Sequence, residues 1–200
     1  MRTSIDMDPA WRSDGRLPVV TIAIHDRLEA LVRSVTPQYL TRIDIRIATR
    51  PLDRLCELRR DLEAHRDSSV VMSEGLHGGS LLTSKPSALP GPLVNFQPTF
   101  SDALCGLQIA GERPAALLMS GPLFTEMEAF RSLLRSRFSQ HRYTDIDDVR
   151  RLVAQCALDP LTTVIGDGLA CELAEQAGLA ALLLPTQNTV SAALDEAIPL

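Results

Sequence analysis

TTVIGDGLACELAEQAGLAALLL, residues 162–184, carries the fold of the whole chain in miniature. Residues 162–165 form an apolar, β-branched run that predicts a strand. Gly166-Asp167-Gly168 falls on a turn from strand to helix. Residues 168–177 have helical spacing, Gly178 suits a left-handed stop, and residues 180–184 are apolar again. A strand, a covering helix and a second strand make a βαβ unit, which implies a parallel sheet.

The same alternation runs outward in both directions. Further strands are predicted at 18–24, 43–48, 69–72, 92–96, 114–119 and 140–144. Helices are predicted at about 26–35, 51–65, 78–84, 99–110, 122–138, 145–157 and 187–197. Most strands are continuous apolar runs, as expected where helices cover both faces. The polar stretch 140–144 reads as an edge. Asp145, with Asp148 three residues on, caps one helix; Pro51 opens another; Thr99 and Ser101 suit the start of 99–110. Three prolines and a glycine within 84–92 demand a loop. Eight strands divide into two sets of four. The expected organisation is a loose lead-in over 1–17, a first α/β lobe over 18–98 and a second over 99–186. The last helix, 187–198, returns to the first lobe.

Composition narrows the function. A hydrophobic share of 45% supports a real core, and a formal charge of −5 provides no basic field to hold a nucleic-acid backbone. Lys85 is the only lysine, so cationic recognition would fall to arginine. Cys56, Cys105, Cys156 and Cys171 lack metal-ligand spacing and fall in predicted helices, so reduced and mostly buried thiols are expected. No apolar stretch suits a signal peptide or a membrane span, which predicts a cytoplasmic chain without membrane contact. No metal or cofactor motif is present: GLHGGS, residues 75–80, lacks the lysine of a phosphate-binding loop.

The residues that follow strands are the candidates for chemistry. They include His25-Asp26-Arg27, residues 73–80, residues 97–101, Ser120-Gly121-Pro122, Gly166-Asp167-Gly168 and residues 185–188. Small and hydroxylated residues at helix starts let a ligand approach free backbone amides, which favours an anion. Such residues also serve ordinary turns and caps. Taken as a set they predict a ligand cleft lined by Arg27, Ser73, His77, Thr99, Ser120, Gly166, Asp167 and Gly168. His25 beside Asp26, or His77 near Glu74, could in principle be catalytic, but sequence neighbours rarely adopt that geometry.

Two stretches carry a family resemblance. Residues 142–198, RYTDIDDVRRLVAQCALDPLTTVIGDGLACELAEQAGLAALLLPTQNTVSAALDEAI, join an acidic-capped helix, a strand ending in a glycine turn, L-A-E-x-A-G, an apolar strand and a final x-A-L-x-x-A helix. Residues 92–110, PLVNFQPTFSDALCGLQIA, contribute Phe100, Asp102 and Leu104. This pattern resembles the N-terminal sensory domain of the propionate catabolism operon regulators, activators that work with sigma-54. The resemblance implies two Rossmann-like lobes with parallel sheets, arranged as in periplasmic binding proteins, with the effector in the cleft between them. It implies a non-enzymatic sensor of a small carboxylic acid such as 2-methylcitrate, without a cofactor and without direct nucleic-acid contact. A homodimer is also expected. ATPase and helix-turn-helix modules are expected in a full-length protein; no Walker motif lies in these residues. The turn at 73–79 and Ser120-Gly121-Pro122 depart from the family pattern, and Glu74 at the cleft would disfavour a tricarboxylate unless paired, for example with Arg27.

Two other functions fit a two-lobed α/β chain. An aspartate/glutamate racemase-like enzyme needs cysteines facing one another on loops, whereas Cys105 and Cys171 are predicted within helices. A dimerisation module with a vestigial cleft is the other.

Overall fold

The computed structural model describes residues 15–49, 57, 70–74, 91–131 and 137–199. Its strands are β1 (Leu17–Ala23), β2 (Ile43–Thr49), β3 (Val70–Glu74), β4 (Leu93–Phe96), β5 (Ala115–Met119), β6 (Phe138–Arg142), β7 (Thr163–Gly166) and β8 (Ala180–Leu183). Its helices are α1 (Asp26–Val35), α2 (Phe100–Ala110), the short α3 (Glu126–Phe130), α4 (Ile146–Cys156), α5 (Gly168–Gln176) and α6 (Gln187–Ala197). A 3-10 turn at Thr36–Gln38 follows α1.

The strands form two parallel sheets of four, ordered β2-β1-β3-β4 and β6-β5-β7-β8. Both sheets therefore repeat one winding. In each, the first strand connects to one side and the third to the other, so a crevice opens at their C-terminal ends. Every residue of β1, β3, β5 and β7 is buried, as required of strands enclosed on both faces. The polar β6 lies at an edge, where its exposed Arg142 costs little.

Helix starts follow local chemistry. Asp145 accepts the Asp148 amide at 2.8 Å and caps α4. Thr99 and Asp102 form a reciprocal capping box at α2, and Thr186 and Thr189 do the same at α6. Gly178 adopts φ 77° just beyond α5, the left-handed conformation that a Cβ disfavours. The predicted helix 78–84 and the Pro51 cap lie outside the described residues, and of the predicted helix 51–65 only residue 57 is described, in a helical conformation. The helix expected over 122–138 is shorter: its described part runs Glu126–Phe130. The Gln140 side chain explains the late start, because it accepts the Phe124 amide and donates to the Phe124 carbonyl, both at 3.1 Å. Among the described residues no helix is long and apolar enough to cross a membrane.

The first core joins Val19, Leu28, Val32, Met72 and Phe96 with Val190, Leu194 and Ala197 of α6. The last helix thus packs on the first sheet although it follows β8. Conversely, α2 follows β4 but places Ala103, Leu107 and Ala110 in a core with Leu117 and Ile165 of the second sheet. The chain therefore crosses between sheets at residues 97–99 and again at 184–186. Asp102 fastens the two crossings together. It accepts the Thr99 amide at 2.6 Å, the Thr186 hydroxyl at 2.5 Å and the Thr189 hydroxyl at 3.0 Å.

Candidate functional site

A cavity of about 400 Å³ lies between the sheets, at the C-terminal ends of their strands. Glu74, Asn95 and Gln97 form its polar wall on one side; Ser120, Gly121 and Asp167 form it on the other. Phe96, Met119, Phe124 and Leu184 supply apolar surface, with Pro98 and Pro185 from the two crossings. An apolar pocket with a few convergent polar groups is the usual form of a small-molecule site. Among the described residues lining it there is no Arg, Lys or His.

Asp167 is built in by the turn after β7. Its Oδ1 accepts the Ala170 amide at 3.1 Å, capping α5, while Oδ2 accepts the Ser120 hydroxyl at 3.4 Å and the Tyr143 hydroxyl. Burial, together with the Asp167 charge, pushes the Tyr143 phenol far up, so it remains a donor. Glu74 ends β3 and reaches across to the second sheet, where Oε2 accepts the first amide of α5, from Gly168, at 2.9 Å. This approach requires glycine: a Cβ on residue 168 would stand 2.5 Å from Oε2. Burial first, and the neighbouring Asp167 second, raise the Glu74 carboxyl well above the usual carboxylate range.

A second bridge between the lobes lies outside the cavity. His25 Nδ1 accepts the Arg27 amide at 3.1 Å, leaving Nε2 to donate to Glu175 at 3.2 Å. Arg27 reaches Glu175 Oε1 at 2.6 Å and donates to the Ala181 carbonyl at 2.6 Å. The guanidinium is half exposed, so the pair acts more as a positional strut than as a source of stability.

The structure brings together Ser120 and Asp167 of the eight expected lining residues, with Gly166 and Gly168 flanking Asp167. Arg27 is not on the described wall and does not pair with Glu74; it is occupied by Glu175. Ser73 is buried within β3, one residue before Glu74, and Thr99 serves as the α2 cap. His77 lies outside the described residues. Asn95 and Tyr143 were not among the candidates; Gln97 and Gly121 lay in the candidate stretches but not among the eight expected lining residues; and Glu74 was expected as an obstacle to a tricarboxylate or as a partner of His77. Gln97 and Gly121 carried the signal of residues that follow strands; Tyr143 sits in a segment read as strand and had none.

Among the described cysteines none forms a disulfide, and their burial varies: Cys105 is exposed, Cys156 half-buried and Cys171 buried. Cys171 donates its thiol to the Gly166 carbonyl at 3.6 Å, and desolvation raises it well above the ordinary thiol range. A buried, protonated thiol is a poor nucleophile. Neither Cys105 nor Cys171 is on the described cavity wall.

Two parallel α/β lobes, joined by two crossings and enclosing a cavity at their strand ends, define a bilobal α/β domain. The chain belongs to the propionate catabolism activator family, which it matches over residues 39–200. The resemblance seen in residues 142–198 and 92–110 is thereby borne out. An NtrC family transcriptional regulator from Clostridium acetobutylicum has the same fold, with a TM-score of 0.68, 16% identity and coverage of 92% of this chain and 96% of that one. An unliganded arylmalonate decarboxylase aligns over 92% of each chain at 13% identity, but with a TM-score of only 0.31.

Proposed function

We propose that this chain is the effector-sensing domain of a sigma-54-dependent transcriptional activator, and that a small organic acid of the 2-methylcitrate kind occupies the interlobe cavity. One observation carries the reading: the wall is shared by both lobes and by both crossings, through Gln97 and Pro98 on one and Leu184 and Pro185 on the other. A molecule there touches every part that must move if the lobes change their relation. It biases that relation only through different affinities for the two arrangements. ATPase and DNA-binding modules of a full-length activator would read the bias.

A thermal-shift series with mono-, di- and tricarboxylates tests this. A ligand at about 100 times its Kd stabilises by about 2.7 kcal/mol. For a chain of this size that raises the Tm by roughly 5–10 °C. Unchanged melting with every acid in the series contradicts the organic-acid reading.

A further inference from the structure

An organic acid meets an electrostatic problem in this cavity, whose described wall contains two carboxyls and no cation. Two buried carboxylates side by side cannot both stay charged without a large penalty. Their hydrogen bonds are unequal. Asp167 accepts from the Ala170 amide and from the Tyr143 and Ser120 hydroxyls, three donors suited to a charged group. Among the described residues Glu74 accepts only the Gly168 amide, on Oε2, and its Oε1 is sealed from water without a partner. A bare buried carboxylate oxygen is costly, whereas a hydroxyl there is much less so.

Resting on the reading that the cavity holds an organic acid, we infer that Glu74 is protonated on Oε1 and sets the ligand preference of the site, because a neutral carboxyl admits an anion beside a wall whose described residues include no cation. Asp167 then carries the one negative charge, shielded by its three donors. The raised proton affinity of Glu74, caused by burial and by Asp167, agrees with this assignment. Among the described residues, the surrounding titratable groups leave it unopposed. Tyr143, after β6, and Cys171, on α5, are both held in their neutral forms by burial. His25, ahead of α1, presents its Cβ near Gly168 but directs Nε2 to Glu175. Arg27 on α1 is engaged by Glu175 as well.

The linkage has a definite sign. The folded domain holds a proton on Glu74 that an unfolded chain releases near pH 4.3. Stability therefore falls as pH rises from about that value up to the raised value in the folded state. Above the latter, Glu74 must take up a proton from solvent when an anion binds.

Glu74→Gln tests the inference, since the amide imitates the neutral carboxyl. In the infrared difference spectrum of unliganded wild type against E74Q, the expected result at neutral pH is the carbonyl band of a protonated carboxylic acid. A carboxylate band in its place overturns the proposal. Calorimetric titration of citrate into both proteins, from about pH 6 to about pH 9, gives the second readout; their affinity ratio cancels the titration of citrate itself. Wild type is expected to weaken relative to E74Q by up to about tenfold per pH unit above the Glu74 titration. A ratio that stays constant while the acid band is lost over the same pH range overturns the ligand preference, as does a wild type that binds more than about tenfold more weakly than E74Q while the band persists. If citrate and the acids of the thermal-shift series bind neither protein, the organic-acid reading falls and the ligand preference falls with it; the infrared band still decides the protonation separately.

Discussion

Gly166→Ala destabilises the domain by about 3 kcal/mol, at the upper end of overpacking substitutions. For a chain of this size the Tm drops by roughly 6–12 °C. Gly166 ends β7 where the backbone turns into α5. A Cβ there would lie 2.6 Å from the Ala170 Cβ and 2.8 Å from the Leu118 carbonyl oxygen. The second contact is with the backbone of the adjacent strand, so no side chain can swing away. The turn is also held from both sides: the Gly166 carbonyl accepts the Leu184 amide at 2.6 Å, and Asp167 caps α5. Gly168→Ala is milder, because its nearest neighbour is the end of the Glu74 side chain, which can rotate. Equilibrium urea unfolding checks the pair; a loss below about 1 kcal/mol for Gly166→Ala contradicts this packing.

Asp102→Ala has a comparable effect, about 3 kcal/mol, and a different character. Asp102 is 4% exposed and accepts four hydrogen bonds: from the Thr99 amide and hydroxyl, and from the Thr186 and Thr189 hydroxyls. Removing a carboxylate from a buried network leaves donors unmatched, a recognised source of large losses. The α2 capping box alone accounts for about 1 kcal/mol. The remainder reflects the tie between the two crossings. Asp102→Asn keeps the volume and one acceptor, and should lose roughly half as much. A thermal unfolding difference below about 1 kcal/mol for Asp102→Ala would show that the crossings are held by other contacts.

The contrast between Asp102 and Arg27 illustrates what was legible in the sequence. Strands and caps are local. All eight strands, the edge position of residues 140–144, the Asp145 cap and the Gly178 stop follow from neighbours a few residues apart. Asp102 could be read as an α2 residue in a family motif, but its link to Thr186 spans 84 positions. Arg27 was expected at the cleft because it follows a strand, yet its partner Glu175 lies on α5. No period or spacing connects such residues; only the docking of two lobes does. The Glu74–Gly168 contact, 94 positions apart, is hidden for the same reason. So is the repeated strand order, because winding leaves no residue-level repeat. The late start of α3 depended on the Gln140 side chain, which sits on a different element.

The central claim is that the interlobe cavity binds a small organic acid. Gly121 lies on its wall, has no atom within 4 Å of a Cβ placed there, and does not need a positive φ. Gly121→Phe should therefore fold normally while occupying ligand space. Calorimetric titration of the acid that most stabilises wild type is the most direct test. The account predicts saturable one-to-one binding to wild type and a loss of at least about tenfold, 1.4 kcal/mol, in Gly121→Phe. Equal affinity in the two proteins would place the ligand elsewhere and contradict the claim.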